Sequence, residues 1–107
     1  MQEASIPEWV ISAQELKALM DSGKMPLVID VREPDEYEED HLPGSILIPL
    51  GHVDREAPKQ LKTDQPFIVI CAGGFRSLEG TLKLRKLGFK LGRSLEGGIS
   101  YWRELGY

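Results

Sequence analysis

The stretch FIVICAGGFRS, residues 67–77, determines the fold that we expect for this chain. Phe67 to Cys71 is a short, wholly apolar run, which is typical of a strand buried on both faces of a parallel sheet. Ala72 to Phe75 follows as a turn, and Ser77 to Leu87 then carries leucines at helical spacing. A buried strand, a glycine-rich turn and a helix in this order form a βα unit. The sequence therefore predicts that Cys71 ends a buried strand at its carboxyl side.

The segments on either side of this unit continue the alternation of short strands and helices. Further strands are predicted at Leu27–Val31, at Ser45–Pro49 and, in two pieces, at Phe89–Leu91 and Ser94–Leu95. Helices are predicted at residues 12–23, at Pro34–Glu39, at Ser77–Leu87 and after Gly97–Gly98. The third of these helices carries an apolar stripe of Leu78, Leu82 and Leu87. Residues 51–62 are ambiguous between loop and helix. This alternation predicts an α/β fold with a mostly parallel sheet. In such sheets ligands collect at the carboxyl ends of the strands, which is where Cys71 is expected.

The first helix carries recognisable start and stop signals. Ser12 to Glu15 reads as a capping box, in which Ser12 caps the helix and the Glu15 side chain reaches back to it. Leu16, Leu19 and Met20 form an apolar stripe, and Gly23 supplies the left-handed residue that ends the helix.

Length and composition favour a small globular domain over a charged binding module. The 107 residues, 41% hydrophobic and 28% charged, are enough for one domain over positions 1–107 to bury a core without metal or disulfide staples. Thirteen basic against seventeen acidic residues give a net charge of −4, without a basic cluster. Neither a nucleic-acid backbone nor a membrane surface is therefore expected as a partner.

Cys71 is the single cysteine of the chain, so it can form no internal disulfide. The N-terminal residues, with Glu3, Pro7 and Glu8, lack the features of a signal peptide, and no apolar run has the length of a membrane span. A cytoplasmic protein without metal or cofactor is the simplest interpretation. Any covalent intermediate on Cys71 has no resolving partner in the chain and must be discharged by another molecule.

The residues after Cys71 favour an anion at this position. Gly73 and Gly74 allow the loop to curl so that backbone N–H groups point inward, and the following helix adds the positive end of its dipole. Arg76 contributes a permanent charge and planar donors. The first anion to occupy such a loop is the thiolate itself. The alternative is a cysteine that serves as a small core hydrophobe, but that role requires neither the two glycines nor the arginine.

Three motifs in this order resemble the rhodanese-like domain family. Cys71-x-x-Gly74-x-Arg76-Ser77 resembles the family's active-site loop, and the stretch DVREPDEY at residues 30–37, followed by HLPGS at residues 41–45, resembles its other signature. Gly97–Gly98 with Trp102 resembles its C-terminal end. The resemblance spans about residues 10–102.

The resemblance implies a single rhodanese-like domain with a five-stranded, mostly parallel sheet and helices on both faces. It also implies a sulfurtransferase: Cys71 takes a sulfane sulfur from a donor such as thiosulfate or a persulfide, and a thiol, cyanide or a carrier protein then accepts it. The loop residues implied to bind the substrate are Ala72, Gly73, Gly74, Phe75, Arg76 and Ser77. Asp30 and Arg32, at the end of another strand, are implied to support the site through an ion pair.

Two other functions stay open at the level of sequence. One is a non-enzymatic persulfide carrier or partner-binding module, although such modules in the family generally lack the cysteine that is present here. The other is a phosphatase of the Cdc25 type or an arsenate reductase. Those relatives use a C-x5-R loop, whereas Cys71 and Arg76 are spaced C-x4-R, a smaller ring that suits one sulfur atom better than a phosphoryl group. Some thiosulfate-preferring relatives carry a further basic residue in the loop, so a strong preference for thiosulfate is not predicted.

The remaining candidates are interpreted as structural. His41 precedes Pro43–Gly44 and is expected to satisfy a loop hydrogen bond, and Trp102 is expected in the core. The acidic run from Glu33 to Asp40 is interpreted as a solvated helix face.

Overall fold

The apolar runs of the sequence form one central sheet in the computed structural model, which describes residues 6–107. Within these residues the sheet has five strands in the order β1-β5-β4-β2-β3, and every neighbouring pair is parallel. The strands are β1 Val10–Ile11, β2 Leu27–Asp30, β3 Ile46–Leu47, β4 Phe67–Ile70 and β5 Gly92–Leu95. The helices are α1 Ala13–Asp21, α2 Pro34–Glu39, α3 Val53–Glu56, α4 Phe75–Lys86 and α5 Gly98–Glu104, with 3₁₀ turns at Leu50–His52 and Ala57–Lys59. The predicted α/β fold with a five-stranded parallel sheet is confirmed.

Each face of the sheet is covered by its own apolar core. Successive side chains of a strand point to opposite faces, so β4 supplies Phe67 and Val69 to one core and Ile68 and Ile70 to the other. The first core also contains Val53 of α3, Leu84 of α4 and Cys71. The second contains Leu16 of α1, and Ile99 and Trp102 of α5. The sheet is therefore enclosed by helices on both faces, as the sequence predicts.

The order of the strands creates a crevice beside Cys71. Strand β4 lies at the centre of the sheet and pairs with β2 on one side and β5 on the other. The chain leaves β2 towards β3 and leaves β4 towards β5, which are opposite directions. Where connections diverge in this way, a crevice opens at the carboxyl ends of the strands and ligands bind in it. Asp30 pairs with Ile70 in the ladder, so the residues after β2 and after β4 meet there.

One predicted strand segment is wrong, and one strand of the sheet has no counterpart in the prediction. The segment Phe89–Leu91 is a turn, and the last strand is the continuous β5, Gly92–Leu95. Phe89 is apolar because it packs into the core beside α4. Strand β1 was not predicted, since two residues carry too little pattern to identify a strand; it adds to the sheet by pairing with β5.

The first helix uses half of its predicted capping box. Ser12 Oγ accepts a hydrogen bond from the Glu15 backbone N–H at 3.1 Å, and Gly23 follows the helix with a φ of +72°. The Glu15 carboxylate instead binds Arg93, at 2.7 Å. A charged partner from β5 therefore replaces the predicted local contact to the cap.

Helix α4 differs from the prediction in its start and in its buried face. It begins at Phe75 and not at Ser77, so that Arg76 already lies in its first turn. Its buried residues are Ser77, Gly80, Thr81 and Leu84, while Leu82 and Leu87 of the predicted stripe are exposed. Small residues face the sheet because the helix packs closely: a Cβ at Gly80 would lie 3.5 Å from Val69. None of the helices within the described residues is long and apolar enough to cross a membrane.

Candidate active site

Cys71 lies directly beyond the end of β4, at the crevice between β2 and β4. The residue is 1% exposed and belongs to the first core, and its Sγ contacts one polar group of the following loop and one of the first turn of α4. The Gly74 backbone N–H donates to Sγ at 3.1 Å, and the Ser77 hydroxyl oxygen lies 3.3 Å from Sγ. A thiolate at this position can accept hydrogen bonds from both groups.

The loop is shorter than the sequence suggested. Only Cys71 to Gly74 lie between β4 and α4, and Gly74 occupies the N-cap position with a φ of +100°. This left-handed backbone turns the Gly74 N–H back towards Cys71, and L residues with a side chain rarely adopt it. Several inward N–H groups were expected, but among the described hydrogen bonds that of Gly74 is the one made to Sγ.

The N-terminus of α5 holds the Cys71 loop by its backbone. Ile99 N–H donates to the Cys71 carbonyl at 2.9 Å, and Ser100 N–H donates to the Ala72 carbonyl at 3.0 Å. This close approach depends on Gly98, whose φ is +63°. A Cβ at position 98 would lie 2.6 Å from the Cys71 carbonyl oxygen and nearer still to that of Ala72. The sequence predicts the Gly97–Gly98 pair before the last helix and as part of the family's C-terminal motif. Its contact with the Cys71 loop cannot be found from local sequence.

Arg76 is paired with an acidic side chain of α2. Its guanidinium donates to both carboxylate oxygens of Glu36, at 2.7 and 3.0 Å. The hydrogen bonds from Arg76, with a further one from the Glu33 backbone, lower the pKa of Glu36 to about 2. The hydrogen bonds to the Glu36 carboxylate, together with its negative charge, raise the pKa of Arg76. The predicted cation thus lies near Cys71, but Glu36 compensates its charge.

Asp30 and Arg32 form a buried ion pair at the end of β2. Arg32 Nε donates to Asp30 Oδ1 at 3.0 Å, and Nη2 donates to Oδ2 at 2.9 Å. Arg32 Nη2 also donates to the Asp40 carbonyl at 2.6 Å, which ties the end of α2 to the sheet. Because their charges satisfy each other, these residues are placed to brace the crevice from the side of β2.

The acidic run of α2 is more than a solvated face. Glu36 binds Arg76, and the Asp40 carboxylate binds Arg103 of α5 at 2.8 Å. These two ion pairs connect α2 with the helices that follow and hold the Cys71 loop. The interpretation of the run as simply solvated is therefore wrong for these residues.

An apolar cleft adjoins the loop on its outer side. Phe75, the first residue of α4, is 86% exposed and stands at its border. The cleft has a volume of about 500 Å³. Its other lining residues come from three segments: Ile6, Pro7 and Val10 before and in β1, Gly73, Gly74 and Leu78 of the loop and α4, and Ser94, Glu96 and Gly97 at the end of β5.

The two aromatic candidates outside the loop behave as predicted. His41 Nδ1 lies 2.7 Å from the Tyr37 carbonyl oxygen, and its ring stacks on the Tyr37 ring at a centroid separation of 3.8 Å. Trp102 is buried in the second core. Both residues therefore have structural roles.

Comparison with known proteins agrees with this geometry. The model of the rhodanese-like domain family matches residues 12–105. The chain belongs to this family. A rhodanese-related protein from Thermoplasma volcanium has a similar crystal structure, with a TM-score of 0.79 and 38% sequence identity over 92% of this chain and 93% of that one. The resemblance identified from the sequence is thus confirmed.

Curated relatives of this rhodanese-like domain carry names that refer to sulfur transfer. "Putative sulfur carrier protein YrkF" of Bacillus subtilis is 38% identical over 92% of this chain, which spans 52% of the length of that protein. The thiosulfate sulfurtransferase GlpE of Pseudomonas syringae is 29% identical over 87% of this chain and 85% of its own length. Sulfur carriers and sulfurtransferases are therefore the functional classes to which this domain is related.

Proposed function

We propose that this protein is a sulfurtransferase in which Cys71 carries the transferred sulfur as a persulfide. The observation that supports it most directly is the placement of Cys71 Sγ at the carboxyl end of the central strand, between the Gly74 N–H at 3.1 Å and the Ser77 hydroxyl at 3.3 Å. A buried cysteine that served only to fill the core would not need a backbone N–H and a hydroxyl group beside its sulfur. A nucleophile that works as an anion does need them.

The reaction has two displacement steps. In the first, the Cys71 thiolate attacks the outer sulfur of the donor, the donor's S–S bond breaks, and the remainder of the donor leaves with the bonding electrons. When the donor is thiosulfate, the group that leaves is sulfite, and Cys71 becomes an anionic persulfide. In the second, a thiolate or cyanide attacks the outer sulfur, the bond to Sγ breaks, and the Cys71 thiolate returns. Since Cys71 is the single cysteine of the sequence, the second step requires another molecule.

Each residue of the site has a separate role in this mechanism. The Gly74 N–H and the Ser77 hydroxyl stabilise the negative charge on sulfur, while Ala72 and Gly73 give the loop its short, open form. Arg76 attracts anionic donors, and Phe75 offers an apolar contact to larger donors or acceptors. Asp30 and Arg32 keep the crevice in place. We further propose that residues 1–107 act as one unit, with no metal or cofactor and in the cytoplasm, where thiols stay reduced.

The proposal is tested by the mass of the intact protein. Incubation with thiosulfate, or with a polysulfide as a second donor, should add the mass of one sulfur atom to the wild-type chain. Subsequent addition of cyanide or a low-molecular-weight thiol should remove that mass and release thiocyanate or a persulfide. A protein that gains no mass from either donor would contradict the proposal.

A carrier that transfers sulfur once within a complex is the alternative, supported by the relative that is named a sulfur carrier. The number of turnovers distinguishes a sulfurtransferase from a sulfur carrier. A sulfurtransferase regenerates its thiolate and forms many equivalents of product from small reagents, whereas a carrier with no access for small acceptors forms one. The C-x4-R spacing speaks against phosphate-ester hydrolysis, because the ring from Cys71 to Arg76 is one residue shorter than in the phosphatases.

We expect Glu36→Gln to strengthen the use of thiosulfate. The substitution keeps a polar side chain beside Arg76 but removes the negative charge that compensates the guanidinium. Thiosulfate is a dianion, so its KM should fall about three- to tenfold, with a smaller change in kcat. Steady-state kinetics at low ionic strength measure this effect, and added salt should reduce it.

Glu38→Gln is the matched control, because Glu38 is an exposed glutamate of the same helix. It should change the KM less than twofold, and equal effects of the two variants would refute a specific role for the Arg76–Glu36 pair.

The pH dependence of stability provides a second check on the Arg76–Glu36 pair. The pKa of Glu36 is lowered to about 2, so its stabilising contribution is present above its ordinary value of 4.5 and is lost as the pH falls from there towards 2. Glu36→Gln should lose that part of the pH dependence of unfolding.

A further inference from the structure

Behind Cys71 lies a chain of two buried hydroxyl groups, of which the second has no role in the mechanism above. Ser77 Oγ lies 3.3 Å from Cys71 Sγ and 2.8 Å from Ser94 Oγ. Cys71, Ser77 and Ser94 are 1%, 0% and 2% exposed. Sγ and the two oxygens therefore form a continuous hydrogen-bonded row from the end of β4, through the first turn of α4, to strand β5.

The direction of the hydrogen bonds in this row is coupled to the charge on sulfur. A serine hydroxyl has one proton to donate. If Ser77 donates to the Cys71 thiolate, its proton is not available to Ser94, and the short contact between the two oxygens then requires Ser94 to donate to Ser77. If Cys71 is a neutral thiol that donates to Ser77, the Ser77 proton is free to point at Ser94. The direction of donation along the row of hydrogen bonds thus reverses when the thiol loses its proton.

Ser94 is well placed to impose one direction. Its backbone belongs to β5, which is paired on both sides, with β1 and with β4. The Ser94 N–H donates to the Trp9 carbonyl at 2.7 Å, and Ser94 faces Val69 in the ladder with β4. A side chain on such a doubly paired strand has little freedom to move, so its hydroxyl approaches Ser77 from a fixed position.

We propose that Ser94 is a positioning residue that directs the Ser77 hydroxyl to the Cys71 thiolate. It touches neither sulfur nor substrate and acts through Ser77 alone. Thr81 does not compete for this role, because its hydroxyl donates to the Ser77 backbone carbonyl at 2.8 Å and not to the side chain. Ser94 also borders the apolar cleft, so this support for the thiolate lies directly beneath the surface beside the loop.

The contribution of Ser94 differs from that of the charged groups at this end of the sheet. Those groups are Arg76, which is bound to Glu36, the buried pair of Asp30 and Arg32, and Glu96 at the end of β5. None of them forms a described hydrogen bond with the two hydroxyls. Removal of the Ser94 hydroxyl therefore leaves the charges in place and weakens only the donor that reaches Sγ through Ser77.

The test compares Ser94→Ala, Ser77→Ala and the double variant with the wild-type protein. The readout is the rate at which iodoacetamide, an uncharged reagent, alkylates Cys71 between pH 5 and pH 10. Ser94→Ala should slow alkylation at neutral pH about three- to tenfold and move the rate–pH curve to higher pH, with little change in the rate at its upper plateau. In the Ser77→Ala background the additional effect of Ser94→Ala should vanish, since Ser94 has lost the group through which it acts.

Two further variants separate positioning from structure. Ser94→Thr keeps the hydroxyl and should restore the wild-type curve. Ser45→Ala removes another buried hydroxyl, which donates to the Leu42 carbonyl at 2.7 Å away from Cys71, and should leave the curve unchanged. Equal shifts for Ser45→Ala and Ser94→Ala, additive effects in the double variant, or no shift at all would each overturn the proposal.

The inference rests on the thiolate of the proposed function, but alkylation requires no sulfur transfer. Failure of the wild-type protein to gain a sulfur atom would reject the sulfurtransferase and leave the Ser94 result intact. An unshifted Ser94→Ala curve in a protein that does gain sulfur would reject only the role of Ser94.

Discussion

Cys71→Ser should abolish sulfur transfer while the fold survives. The serine hydroxyl has room at this position, where it can accept a hydrogen bond from the Gly74 N–H and contact Ser77, so the loop keeps its polar partners. A hydroxyl is a far weaker nucleophile than a thiolate at neutral pH and cannot hold a persulfide. We expect turnover to fall by about a thousandfold or more, to the rate without protein. Product formation with thiosulfate and with a polysulfide measures the loss.

Two measurements accompany this variant. Its free energy of unfolding should stay within about 2 kcal/mol of the wild-type value, since the exchange of sulfur for oxygen removes little volume and keeps the hydrogen bonds. Its intact mass should not change on incubation with either donor. Residual turnover above the uncatalysed rate would show that Cys71 is not the nucleophile, and a cooperative unfolding transition would show that the result does not come from a lost fold.

Local signals predicted the fold well where one segment carries the whole signal. The run of apolar residues in β4 identifies a strand without reference to the rest of the chain, and Pro34 gives the start of α2 to the residue. The start of α4 was predicted two residues late. Its N-cap is Gly74 in a left-handed conformation, and that position lacks the serine, threonine, aspartate or asparagine by which a helix start is usually recognised.

Only those residues of the candidate site that lie close together in the sequence could be predicted. One short stretch contains Cys71, the glycines, Arg76 and Ser77, and the order of these residues predicts their chemistry. Glu36 is 40 residues from Arg76, and Ser94 is 17 residues from Ser77. These partners are brought together by the order of the strands, which the periodicity of a single segment does not encode. The family signature contained Glu36, but nothing in it indicated that the residue would compensate the charge of Arg76.

The contact between Gly98 and the Cys71 loop leads to the second large expected effect, in which Gly98→Ala disrupts both the fold and the site. The backbone of Gly98 has a φ of +63°, which is unfavourable for alanine, and its new Cβ would overlap the carbonyl groups of Cys71 and Ala72. Because these carbonyl groups belong to the backbone, they cannot rotate away from the new Cβ as a side chain could. The loop must therefore move away from α5, and the hydrogen bonds from Ile99 and Ser100 to the two carbonyls must lengthen or break.

Gly23→Ala is the control that separates the strain of a positive φ from the overlap of the new Cβ with neighbouring atoms. Gly23 has a similar φ of +72°, but a Cβ there would meet nothing within 4 Å. It should lower the free energy of unfolding by about 1 kcal/mol through backbone strain alone and should leave sulfur transfer unchanged. Gly98→Ala carries the same strain together with the overlap, and we expect a loss of about 3 kcal/mol or more. Chemical denaturation of both variants gives the comparison.

The activity of Gly98→Ala shows whether the position of the loop matters beyond stability. At a temperature and denaturant concentration where the variant is fully folded, a loop displaced by even one ångström should lower kcat about a hundredfold, because Sγ no longer meets the donor in line and loses the Gly74 N–H. Alkylation of Cys71 should change in the same variant, since the thiol is then less enclosed than in the wild-type protein. A Gly98→Ala variant as stable and as active as Gly23→Ala would mean that the loop yields without cost. The N-terminus of α5 would then be a neighbour of the site and not the element that holds it in place.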